Sequence, residues 1–175
     1  AASASMLARI FGLTETEVSL MEVAGNFHDL GKLAIPNSIL DKPGKLTKEE
    51  MAVIKSHTYY SYFIINTIGG LQQIAEWAAY HHERLDGSGY PFHCKAGELT
   101  TGARIMMVAD IFTALAEDRP YRKGMSKDGV MDIYALFGHN ALVVDLLDQP
   151  LRMFLIDLPA HTDGTVRMLT TLRHL

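Results

Sequence analysis

Apolar positions recur at helical spacing along most of the chain, with polar and turn-forming residues marking the breaks. Met6, Leu7, Ile10 and Phe11 form one stripe, which reads as the tail of a helix stopping at Gly12. Thr14-Glu15-Thr16-Glu17 is a capping box, and Val18, Leu20, Met21, Ala24 and Phe27 carry the helix it opens to His28-Asp29. Pro36 closes this region, and Asp41-Lys42-Pro43-Gly44-Lys45 reads as a turn. A second capping box, Thr47-Lys48-Glu49-Glu50, predicts one helix running through Met51, Ile54, His57 and Ile64 to Asn66. Gly69-Gly70 separates it from a helix over 71–83. Residues 85–100 read as a long loop, of a length that is more often functional than idle. Thr101–Glu117 returns to an apolar helix with Asp110 in its middle. Ser126–Phe137, Ala141–Ile156 (interrupted at Pro150) and Thr165–Leu175 read as further helices. No stretch alternates convincingly as a strand, so the fold class is an all-α bundle, taken as one domain over 1–175.

Composition narrows the function classes. Of 175 residues, 48% are hydrophobic and 21% charged, enough for a true core. A net charge of −4 argues against a nucleic-acid polymer as partner but leaves room for a local basic pocket holding a small anion. The single cysteine, Cys94, permits no internal disulfide and suits a reducing, cytoplasmic setting. No apolar run approaches the ~20 residues of a membrane span.

The chemistry concentrates in His81-His82-Glu83-Arg84-Leu85-Asp86-Gly87-Ser88-Gly89-Tyr90-Pro91. Paired histidines offer neutral imidazoles to metal ions, and the Gly-Ser-Gly-Tyr-Pro turn can present backbone N–H groups and a tyrosine to a ligand. His28-Asp29, His57 and Asp110 fall on other helical segments, again among apolar neighbours. Taken singly, each has a plainer reading: a core histidine satisfied by hydrogen bonds, or a capping His-Asp pair. Jointly they point to metal, because buried carboxylates need a compensating charge and helix bundles build di-metal sites from facing helices. Mixed imidazole and carboxylate suits iron or manganese better than calcium, with zinc or nickel as alternatives. Lys32, four residues after His28, would share its helix face and could touch a phosphate or simply snorkel at the surface. Arg119 and Arg122 could grip phosphates or guanine edges, or lie on a solvated turn. Tyr90 could stack on a base or cover the core.

The chain resembles the HD-GYP family, a subgroup of the HD metal-dependent phosphohydrolases. The resemblance rests on His28-Asp29-Leu30-Gly31-Lys32, Ile35-Pro36, Leu40 through Thr47, His57, the stretch 81–91, Arg104-Ile105, Val108-Ala109-Asp110 and Arg119-Pro120-Tyr121-Arg122. It runs in order over about residues 7–124; residues 125–175 carry little of it.

What the resemblance implies is a bacterial cyclic di-GMP phosphodiesterase with two or three divalent metal ions. His28, Asp29, His57, His81, His82 and Asp110 match the family's ligand positions, with Asp29 bridging. Lys32 matches a lysine placed near the scissile phosphate, and Tyr90, Arg119 and Arg122 match positions that contact the nucleotide. The implied products are pGpG and then GMP. Family members commonly follow a sensor or receiver domain, and GGDEF-domain proteins are implied partners. The family also carries a histidine, often with a glutamate, on a first helix, and counting back places both before Ala1. Two departures stand within the matched stretch: Thr113 where the family repeats an aspartate, and His93 where it has a glycine. His93, Cys94, His139, His161 and His174 are read as non-ligands. Two other functions stay open: a domain that binds cyclic di-GMP or a protein without cleaving, and an HD-type hydrolase of another nucleotide such as cyclic GMP-AMP.

Overall fold

Three of the helices begin at a threonine whose hydroxyl caps the first turn: Thr14, Thr47 and Thr100. The computed structural model describes residues 1–117 and 123–125. The further helices expected after Ser126, the turn residues Arg119 and Arg122, and His139, His161 and His174 all lie outside the described residues. Within them the architecture is helical, and the only pairing of extended backbone is an isolated bridge between Asp86 and Lys95.

Helix α1 spans Ala2–Ile10 and α2 spans Glu15–Phe27. Thr14 caps α2 as the capping box requires: its hydroxyl accepts from Glu17 N, and the Glu17 carboxylate accepts from Thr14 N. A 3-10 turn over Leu30–Ala34 leads to the short α3, Asn37–Leu40. The second capping box opens α4, Lys48–Lys55, with α5 following at His57–Asn66. The single helix expected over 47–66 is therefore two. Ser56 forms the junction, its hydroxyl donating to Val53 O at 2.6 Å in competition with the backbone ladder. The helix expected over 71–83 is also shorter, with α6 at Gln72–Ala79 and a 3-10 turn over Tyr80–His82. A 3-10 turn at Ala96–Glu98 precedes α7, Thr101–Ala116, capped by the Thr100 hydroxyl.

Helix α1 packs on α2 and α7, and α6 packs on both α2 and α5. Their shared core includes Leu7, Val18, Met21, Ile65, Ile74, Trp77, Ile105 and Met106. A closer contact ties the 3-10 turn at 30–34 to α5. Gly31 sits so near that junction that a Cβ there would come within 1.9 Å of His57 O. Gly31 N donates to Ser61 Oγ at 2.8 Å, and that hydroxyl donates to His28 O at 2.7 Å. One buried serine thus fixes His28 and Gly31 against the helix that begins with His57.

Candidate metal centre

Helix ends deliver most of the site. His28 caps the C-terminus of α2, and Asp29 follows it. His57 is the first residue of α5, and His81 and His82 close the 3-10 turn after α6. Asp110 alone comes from the body of a helix, α7. The structure brings all six together. His57 Nε2 lies 3.3 Å and His81 Nε2 4.0 Å from Asp29 Oδ1. His28 Nε2 lies 3.5 Å from Asp29 Oδ2 and 3.6 Å from Asp110 Oδ1, and His82 Nδ1 lies 4.0 Å from Asp110 Oδ2.

Three of the histidines are oriented by the same device. Nδ1 of His28, His57 and His81 lies 2.8, 2.6 and 2.6 Å from the carbonyl oxygens of Gly25, Ile54 and Ala78, each three residues earlier. A carbonyl only accepts, so each Nδ1 carries its proton and donates. In the neutral ring Nε2 is then a bare lone pair directed into the cluster. Nε2 of His57 and of His81 face each other at 3.4 Å. Two lone pairs at that distance, with a carboxylate oxygen beside them, repel until a cation lies among them.

Protonation is a poor source of that cation at His81. Burial, reinforced by the neighbouring His82, pushes its imidazole down to about 3. Burial also takes His82 down to about 4, against the pull of Asp110. Burial opposes ionisation of Asp29, but contacts with His57 and with the Lys32 ammonium outweigh it and hold the carboxyl below its ordinary range. Asp110 is likewise held low, its burial outweighed by His28. Neutral imidazoles and ionised carboxylates are the states that bind metal. Among the described residues, two groups of donors lie close enough to hold an ion, His57 with His81 and His82, and His28 with Asp29 and His81, in each case within 4.8 Å of one another. The donor set therefore fits divalent transition ions.

Lys32 reaches the site by a route the spacing did not suggest. It does not share a helix face with His28, because α2 ends there. Instead it lies in the 3-10 turn and places Nζ 2.5 Å from Asp29 Oδ2. Tyr90 is half-buried, with its ring 4.9 Å from that of His82 and the Lys55 ammonium 5.0 Å from its centroid. Burial, with Asp110 and Asp29 nearby, pushes its phenol up to about 12. Thr113 turns its hydroxyl back to Ala109 O at 2.8 Å and lines the same cleft as His28 and Asp110. His93 and Cys94 stay out of the cluster.

Glu83 stands in the motif, but the sequence assigned it no role. Its side chain is buried at 2% exposure, and its carboxylate accepts from Phe92 N, His93 N and Cys94 N at 2.6, 3.1 and 3.0 Å. The available signal was an acid placed directly after two histidines and before a glycine-rich turn. Lys55 was missed too, since nothing in its spacing predicts a meeting with Tyr90.

The family model described as the HD domain matches residues 1–136. The chain belongs to the HD domain family. Among relatives, this HD domain is 42% identical over 127 residues to the 3'3'-cGAMP-specific phosphodiesterase 1 of Vibrio cholerae, covering 73% of this chain and 30% of that protein. It is 43% identical over 130 residues to the cyclic di-GMP phosphodiesterase response regulator RpfG of Xanthomonas campestris, covering 73% and 34%. It is 42% identical over 118 residues to a cyclic di-GMP phosphodiesterase of Thermotoga maritima, covering 66% and 32%. The chain thus spans about a third of the length of these relatives. Among the described residues, no helix is long and apolar enough to cross a membrane.

Proposed function

We propose that the chain is a metal-dependent phosphodiesterase module that hydrolyses cyclic di-GMP to pGpG, and further to GMP, in bacterial second-messenger signalling. The observation that carries this reading is the convergence of three backbone-anchored Nε2 atoms on two ionised carboxylates. His28, Asp29, His57, His81, His82 and Asp110 would hold two or three divalent ions, iron or manganese before zinc or nickel, with Asp29 shared. Such ions, when bound, supply Lewis acidity and lower the pKa of water enough to make a nucleophile at neutral pH.

The protein's own side chains supply the rest. Asp29 and Asp110 remain ionised and set the charge of the site. His81 and His82 remain neutral, so their lone pairs stay available. The Lys32 ammonium, beside Asp29, is placed to meet a non-bridging phosphate oxygen and offset its charge. The Tyr90 hydroxyl keeps its proton at physiological pH and can donate it to a phosphate or ribose oxygen. Arg119 and Arg122 belong to the proposal as nucleotide contacts. Hydrolysis adds water across one P–O bond: its oxygen goes to phosphorus, one proton goes to the leaving 3' oxygen, and the other stays on the new phosphate group or passes to solvent. A cytoplasmic setting, an upstream sensor or receiver domain and GGDEF-domain partners belong to the same reading; the name of the Xanthomonas relative, a response regulator, favours it.

A second substrate, 3'3'-cGAMP, is favoured by the name of the Vibrio relative. Anaerobically purified protein should therefore be analysed for metal and assayed with both cyclic dinucleotides under added iron(II) or manganese(II). About two ions per chain, the number a two-metal phosphodiester site uses, with release of a linear dinucleotide, is the expected result. Metal uptake without turnover of either substrate would reject the hydrolase in favour of a binding module.

A further inference from the structure

We propose that Glu83 is a positioning residue for His82, acting through Tyr90. The inference rests on the metal-centre reading above. It starts from an asymmetry among the histidines. His28, His57 and His81 are each locked by an Nδ1 hydrogen bond to a backbone carbonyl. Among the described residues no carbonyl holds His82 in this way, and its Nδ1 faces Asp110 instead. Among the described residues, its ring packs against three others: His81 at 4.1 Å, Tyr90 at 4.9 Å and His57 at 5.4 Å between centroids. The first and last of these are themselves fixed. Tyr90 sits on a loop, so its place depends on whatever holds that loop.

Glu83 holds it. The chain leaves the 3-10 turn at Glu83 and returns to the same residue, where consecutive N–H groups of Phe92, His93 and Cys94 converge on the carboxylate. Both ends of the segment 84–91 are therefore clamped at one buried side chain. Two further contacts press the segment inward. Tyr90 N donates to His82 O at 3.1 Å, and Gly89 lies so close that a Cβ would come within 2.4 Å of Glu83 Cα. The clamp also holds a locally unfavourable backbone, since His93 sits at φ +59°. A carboxylate with several N–H donors is a strong anchor because its hydrogen bonds are charge-assisted. An isosteric amide has one acceptor oxygen, and its NH2 would face an N–H, so the loop would loosen with no change in side-chain volume.

The test is Mn(II) titration of the anaerobic protein, with far-UV circular dichroism and melting temperature recorded on each variant. Glu83→Gln should weaken Mn(II) binding by ~10- to 100-fold, the usual effect of removing a partner that orients a ligand. Tyr90→Ala should reproduce that loss with the clamp intact, and it carries the test if Glu83→Gln fails to fold. Thr14→Ala removes a remote helix cap, lowers the melting temperature and should leave Mn(II) affinity unchanged. The inference is overturned if a folded Glu83→Gln, or Tyr90→Ala, binds Mn(II) within about twofold of the wild type, well short of the ~10-fold or greater loss expected from a lost orienting partner. It is also overturned if Thr14→Ala weakens binding equally. A wild-type chain that takes up no Mn(II) would reject the metal-centre reading itself, and the inference with it.

Discussion

At the scale of single residues, charge balance decides what each site position can tolerate. Asp29 lies within 4.0 Å of Nε2 on three histidines and beside the Lys32 ammonium. Asp29→Ala removes the one carboxylate common to that set, and metal occupancy should be lost; unchanged metal content on elemental analysis would sink the assignment of Asp29 as the shared ligand. His93 gives a prediction of opposite sign. It is exposed and held at φ +59°, where a residue with a Cβ is strained and glycine is not. The strain of roughly 1–2 kcal/mol is partly offset by the ~0.5–1 kcal/mol of extra unfolded-state freedom that glycine brings. His93→Gly should therefore stabilise the protein by about 0.5–1 kcal/mol. Denaturant unfolding midpoints would measure this, and a destabilised variant would refute it. The family's glycine at this position, noted as a departure from sequence alone, thus acquires a physical meaning.

At the scale of elements, the capping boxes and apolar stripes were legible because their signals are local. Thr14 and Thr47 mark the first turns of α2 and α4 with both halves of the box formed. The helix ends that carry the site were less legible. Ser56 splits one expected helix, and the turn after Ala79 tightens another, because tertiary contacts override continuing helical periodicity. The Gly31 approach to His57 O is such a contact, linking elements distant in sequence. It also explains why the six site positions could be gathered from the sequence while the route of Lys32 could not. The motif fixes residue identity, but the 3-10 turn that redirects Lys32 toward Asp29 depends on α5 packing behind it. Gly31→Ala should force the two segments apart, costing about 1–3 kcal/mol as an overpacked contact. It should also shift His57, so metal affinity should fall with stability. A variant as stable as the wild type would show that the two segments are not in close contact.

At the scale of the whole molecule, the buried histidines make stability depend on pH and metal together. In the metal-free protein His81 and His82 are depressed to about 3 and about 4, below the ~6.5 of an unfolded chain. A depressed histidine favours the fold while both states are neutral, above the unfolded value. That contribution is lost as pH falls from ~6.5 toward the folded values, because the unfolded chain takes up protons that the native core refuses. Asp29 and Asp110, also held low, add to the loss below the ordinary carboxylate range. His28 acts in the other direction: although burial opposes its charge, Asp110 and Asp29 raise it, so its contribution is present in acid and fades as pH rises through its folded value. Below ~6.5 His28 is protonated in both states and drops out, leaving His81 and His82 in control. Metal-free protein should therefore lose stability steadily from pH 6.5 to 4, with uptake of about two protons on unfolding at the steepest point. Saturating manganese(II) binds only the folded arrangement and only the deprotonated ligands, so it should raise the melting temperature at pH 7 and move the acid transition to lower pH. Thermal melts across that range, with and without the ion, measure both effects. Superimposable curves would mean that the cluster of His28, Asp29, His57, His81, His82 and Asp110 does not hold the ion.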